Sequence, residues 1–60
     1  MDQLLIRLMK YTYDTGRTYK SIAFECGIPF STFYGFTGGS RNLRLRYADS
    51  LRQFLEKQGY

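Results

Sequence analysis

The sequence has no histidine, no tryptophan, one cysteine and one proline. Without histidine, the chain lacks the commonest general base at neutral pH and the commonest metal ligand. A single thiol, Cys26, excludes an internal disulfide framework. Secreted domains of this size normally need cross-links to hold a core, so a reducing, cytoplasmic setting is expected. Long apolar runs are also missing. The most apolar stretch, Leu4-Leu5-Ile6-Arg7-Leu8-Met9, is too short to cross a bilayer and is interrupted by Arg7. Asp2 stands where an export signal would carry basic residues, so neither a membrane anchor nor a leader is expected. No carboxylate pair stands out and no serine or cysteine has a flanking base. Gly38-Gly39 lacks the spacing and the lysine of a phosphate loop. Catalysis, a cofactor, a bound metal and a small-molecule substrate are therefore not expected.

Acidic residues are scarce: five, against nine lysines and arginines, for a formal charge of +4 and an isoelectric point near 9.5. That balance favours polyanionic partners without selecting among them. Aromatic rings are plentiful, with six tyrosines and five phenylalanines in sixty residues. Each can bury ~150–250 Å², and such a composition argues against disorder. Sixty residues suffice for one domain with one core, and leave no room for a deep cleft.

Apolar spacing divides the chain into four helical stretches. The first, about residues 2–13 with Asp2 as N-cap, sets Leu4, Leu5, Leu8, Met9 and Thr12 on one face. Ile6 and Tyr13 fall beside that stripe and either widen the core or form a contact surface; the spacing favours the first. Thr18 caps a second stretch, in which Tyr19, Ile22, Ala23 and Cys26 share a face and Gly27 ends the helix. Ile28-Pro29 connects it to a third stretch, about 30–37, in which Phe30, Phe33 and Phe36 recur every three residues. Gly35 inside that helix costs roughly 1 kcal/mol relative to alanine, which a close approach to a neighbour or ligand would offset. After a basic loop, Tyr47, Ala48, Leu51, Phe54 and Leu55 form the stripe of a closing helix, about 45–58, with Leu43 tucked beneath it.

Residues 18–39 are the informative unit. Ala23, four residues before Gly27, permits close approach of two helices. Gly27 supplies a backbone conformation that side chains adopt only at a cost. Phe33 and Phe36 then pin the second helix to the core in a helix-turn-helix arrangement. The run Tyr19-Lys-Ser-Ile-Ala-Phe-Glu-Cys-Gly-Ile-Pro-Phe-Ser-Thr-Phe-Tyr-Gly-Phe resembles the bihelical unit of the lambda-repressor-like (Cro-type) helix-turn-helix family. Gly39-Ser40-Arg41 resembles the loop after that family's recognition helix, and the outer stretches resemble its opening and closing helices. The resemblance implies an all-α bundle of about four or five helices. It further implies a phage or mobile-element type of transcriptional regulator, a repressor for instance, that binds operator DNA.

On that resemblance, Tyr19 takes the place of a phosphate-touching glutamine. Ser31, Thr32, Tyr34 and Gly35 take the places from which bases are read. Phe30 departs from the family's polar reader, and two placements are open. It points outward against a thymine methyl, or inward beside Phe33, which the spacing favours. The reading face is thin in the side chains that make bidentate base contacts, so shape and phosphate contacts are expected to supply much of the affinity. Ser40, Arg41, Asn42 and Arg44, with Arg46, are the phosphate candidates on one side. Lys20 and Arg17 are those on the other. The expected partner is double-stranded DNA. The expected state is a monomer or weak homodimer that pairs on DNA through the closing helix and Tyr60. Two alternatives remain. One is a protein-binding module on the same fold, an antirepressor or modulator of a repressor. The weaker one is an RNA binder, because the aromatics fall at core spacing.

Overall fold

The computed structural model describes residues 3–39 and 42–60. Asp2, Ser40 and Arg41, singled out above as cap and phosphate candidates, lie outside them. Among the described residues there are four helices and no strand: α1 (Gln3–Thr15), α2 (Tyr19–Cys26), α3 (Phe30–Thr37) and α4 (Leu45–Lys57). α1 and α2 pack on α4, and α2 also packs on α3. The fold is the expected all-α bundle, with four helices. No helix is long and apolar enough to cross a membrane among the described residues.

Fully buried Phe33, Leu8, Ile22, Leu51 and Leu55 form the centre of the core, joined by Phe36, Tyr11, Ala23 and Ile28. α4 buries Leu51 and Leu55 of its expected stripe, with Tyr47, Phe54 and the preceding Leu43 packed at its margin and Ala48 half-buried. α1 departs from expectation. Its buried face is turned toward Tyr11, while Met9 faces solvent. The Tyr11 ring meets Phe54 edge-on at 5.5 Å and Tyr60 at 5.3 Å. Its hydroxyl accepts a hydrogen bond from Arg17 Nη1 at 3.2 Å, so the ring is buried while its polar end keeps a partner. Ile6, Met9 and Tyr13 consequently form an exposed ridge and do not widen the core.

The α2–α3 turn shows why Gly27 stands where it does. Thr18 Oγ1 accepts from the Ser21 amide at 3.1 Å and starts α2. At the other end, Gly27 adopts φ +71°, its amide donates to the Phe24 carbonyl, and the Ile28 amide donates to the Ala23 carbonyl at 3.0 Å. This paired closure satisfies the last carbonyls of α2 and drops Ile28 into the core. Pro29, at ψ 135°, then releases the chain into α3, its carbonyl accepting from Phe33 at 2.9 Å.

The end of α4 closes similarly. Gly59 at φ +83° turns the chain back, and the Tyr60 amide donates to the Leu55 carbonyl at 2.8 Å. Arg7 Nε donates to the main-chain oxygen of Tyr60 at 2.7 Å. The Tyr60 hydroxyl donates to Asp14 at 2.7 Å. That hydrogen bond first, and burial second, hold the phenol above its usual pKa. Tyr60, expected to help meet a second copy, spends its ring on Tyr11 of its own chain.

The space beside Gly27 is open, so a side chain there meets only backbone strain. Gly27→Ala should lower the unfolding free energy by ~1–2 kcal/mol. Gly27→Asn, which tolerates the left-handed region better, should lose less. Urea unfolding of both variants with unchanged slope checks this; a loss from asparagine as large as from alanine would contradict it.

Candidate functional site

α3 is eight residues of Phe-Ser-Thr-Phe-Tyr-Gly-Phe-Thr without a single charge. At ~100° per residue, the buried pair Phe33 and Phe36 defines its inner side, and Ser31 lies nearly opposite. Of the four α3 residues expected to face outward, Ser31 and Tyr34 do, while Thr32 and Gly35 are half-covered at the flanks. Ser31 and Tyr34 hydroxyls meet no hydrogen-bond partner among the described residues. Thr37 turns its hydroxyl back to the Tyr34 carbonyl at 3.1 Å.

Phe30 corrects the inward placement favoured by its spacing. It is 40% exposed, and its ring stacks on Tyr34 with centroids 4.7 Å apart and planes 29° from parallel. A repeat of three residues slips by ~60° per step on a 3.6-residue helix, so Phe30 falls at the edge of the buried sector. Tyr34, one turn later on the same side, then offers it a ring to cover. The outward face of α3 is therefore an aromatic pair flanked by a hydroxyl.

The phosphate candidates divide. Lys20, at the start of α2, and Arg44 with Asn42, before α4, are exposed, and neither Lys20 nor Arg44 makes an ion pair with a described residue. The Arg44 carbonyl accepts from Ala48 at 2.8 Å, which fixes its backbone at the start of α4. Arg46 lays its guanidinium over the adjacent Tyr47 ring at 5.1 Å. Tyr19 is half-buried, its ring tilted against Phe33 at 6.0 Å, in the α2–α3 seam. From Cys26 to Ala48 the sequence holds three arginines, all after α3, and no carboxylate, so the only charged side chains in that stretch are positive.

Arg17, expected to flank the start of α2 facing a polyanion, points inward. Its Nη2 donates to Ser21 Oγ at 2.6 Å and Glu25 Oε1 at 2.7 Å, its Nη1 donates to the Tyr11 hydroxyl, and its guanidinium lies 5.6 Å from the Phe54 ring centre. Glu25 foremost, then Tyr11, raises its already high pKa. One side chain thus ties α1, α2 and α4 together. Charge alone suggested a surface cation; the partners come from three separate segments that only folding brings together.

Two exposed features went unnoticed in the sequence. Phe24, 87% exposed, stands on the side of α2 opposite Ile22 and Ala23. Helical spacing was enough to place it there. Leu45 likewise stands clear of the α4 stripe. Among the described residues no three histidine, cysteine or carboxylate side chains gather as a metal site.

Cys26 is half-buried, and burial first, with the neighbouring Glu25 charge second, pushes its thiol from 9.0 up to about 11. Alkylation of the folded protein should therefore stay slow through neutral pH and accelerate only toward pH 11. In denaturant the same thiol should titrate near 9. Between those values the unfolded chain loses its proton first, so stability should fall as pH rises through that window. Rapid alkylation of the native protein at pH 8 would contradict this. In comparisons with known proteins, no family model, curated protein or solved structure matches the chain.

Proposed function

We propose that the chain is a sequence-selective, double-stranded-DNA-binding regulator of transcription, of the phage or mobile-element type, with α3 lying in the major groove. The observation that carries this reading is the two-sidedness of α3. Phe33 and Phe36 hold it to the core, and Phe30, Ser31 and Tyr34 are left toward solvent. An α-helix with its side chains is ~10–12 Å across, which the ~12 Å major groove admits. The carboxylate-free stretch from Cys26 to Ala48 removes like-charge repulsion from a phosphate backbone beside it. The resemblance of residues 19–36 to a Cro-type bihelical unit supports the same reading.

On this reading Lys20, Asn42 and Arg44 touch phosphates, joined by Ser40 and Arg41 from the loop after α3. Ser31 and Tyr34 meet base edges, with Thr32 and Gly35 at the margins. Tyr19 contributes its hydroxyl from the seam between the helices. Phosphate contacts position the protein and supply most of the affinity; hydroxyl contacts discriminate only moderately. The protein is a monomer or weak dimer in solution and pairs on two-fold sites.

A second reading, a protein-binding module on the same fold, is favoured by one observation. Phe24 on α2 and the ridge of Ile6, Met9 and Tyr13 on α1 expose further apolar surface, with Tyr13 90% exposed. Salt dependence separates the two. On duplex DNA, log K should fall with log[salt] by about 0.9 per phosphate neutralised. Arg44→Ala should weaken all sequences similarly and reduce that slope by about one unit. Arg17→Ala, which cuts an internal tie, should lower thermal stability and leave the slope unchanged. Absence of duplex binding at low salt would favour the protein-binding reading.

A further inference from the structure

We infer that Phe30 and Tyr34 together form an apolar contact for thymine 5-methyl groups, so that the preferred duplex carries thymine opposite the first turn of α3. This rests on the reading of α3 as a groove-binding helix. The two rings are 40% and 58% exposed on the outward side of a helix whose inner side is already filled by Phe33 and Phe36. They are one helical turn apart and stack on each other at 4.7 Å. That mutual contact occupies one face of each ring and leaves edges and outer faces for a partner.

Such a surface suits some ligands and not others. A nucleobase sandwiched between the rings would have to break their stack. A charged partner would find no charge on α3 to answer it. In the major groove, the thymine methyl is the one apolar group by which a base pair differs from its neighbours, and apolar side chains contact it. Tyr34 adds an unpaired hydroxyl beside the rings, able to donate to, or accept from, the adjacent base edge. The lone hydroxyl of Ser31 on the same side reads weakly by itself. The aromatic pair thus carries most of the discrimination that the face can make.

The test uses the whole chain and duplexes selected from a random library. Each thymine of the selected site is replaced in turn by deoxyuridine, which removes the methyl and keeps the Watson–Crick edge. For the native protein, at least one position should lose about fourfold in affinity, the value of one buried methyl. Phe30→Ala should bind the thymine and uracil duplexes equally at that position. Because Phe30 lies at the edge of the core, circular dichroism should show Phe30→Ala folded as the native chain is. Tyr34→Ala provides a second variant should it not, and should likewise reduce the methyl effect. Equal binding of thymine and uracil duplexes at every position, with duplex binding intact, would overturn the inference and leave the DNA-binding reading standing. Tighter binding to the single strand than to the duplex would assign the rings to base stacking, and would overturn it too. Failure to bind any duplex would remove the underlying reading and this inference with it.

Discussion

Phe33 and Phe36 must leave water, and an eight-residue helix with both rings buried has only one way to face. Every other property of α3 depends on that constraint. The rings enter the core from one side of the axis and so fix its rotation, and the carbonyl of Pro29 starts it at a fixed point. With α3 held in this orientation, its remaining side chains form a defined outer surface. A domain of sixty residues buries only about 60% of its unfolded surface, so losing either ring would release a large share of what holds α3 in place.

The rest of the molecule makes that orientation rigid. Gly27 closes α2 and sends Ile28 inward, which brings α3 against α2 without a long connection. Arg17 draws α1, α2 and α4 together through Tyr11, Ser21, Glu25 and Phe54. Tyr60 returns from the end of α4 to cover Tyr11 and reach Asp14. These ties are polar at their ends and aromatic in their bodies. They also consume charge. Glu25 is paired with Arg17 and Asp49 with Arg52, while Lys20 and Arg44 form no ion pair with a described residue.

The outer surface is accordingly of two kinds. Around α3 it is aromatic and hydroxylic, within a stretch of chain that has arginines and no acids. On α1 it is an apolar ridge of Ile6, Met9 and Tyr13, and on α2 an exposed Phe24. The first kind is the surface on which the proposed DNA reading rests. The second matches a protein surface.

The helices, their ends and the core anchors on α2, α3 and α4 were legible from residue spacing, capping residues and glycines, because these act within a few positions of one another. Spacing also identified the outward side of α3 at Ser31 and Tyr34. It did not decide the residues at the edge of a buried sector. Phe30, Met9 and Tyr11 each lie where a helix passes from core to solvent, and a neighbouring element settles which way such a residue goes. Tyr34 holds Phe30 outside, whereas Phe54, Tyr60 and Arg17 draw Tyr11 in and leave Met9 exposed. The inward turn of Arg17 belongs to the same class, since its partners are distributed over three helices. Local sequence therefore determined what each helix is and where it stops. Tertiary structure alone decided the borderline rings and charges, because their energies depend on partners that are distant in the chain.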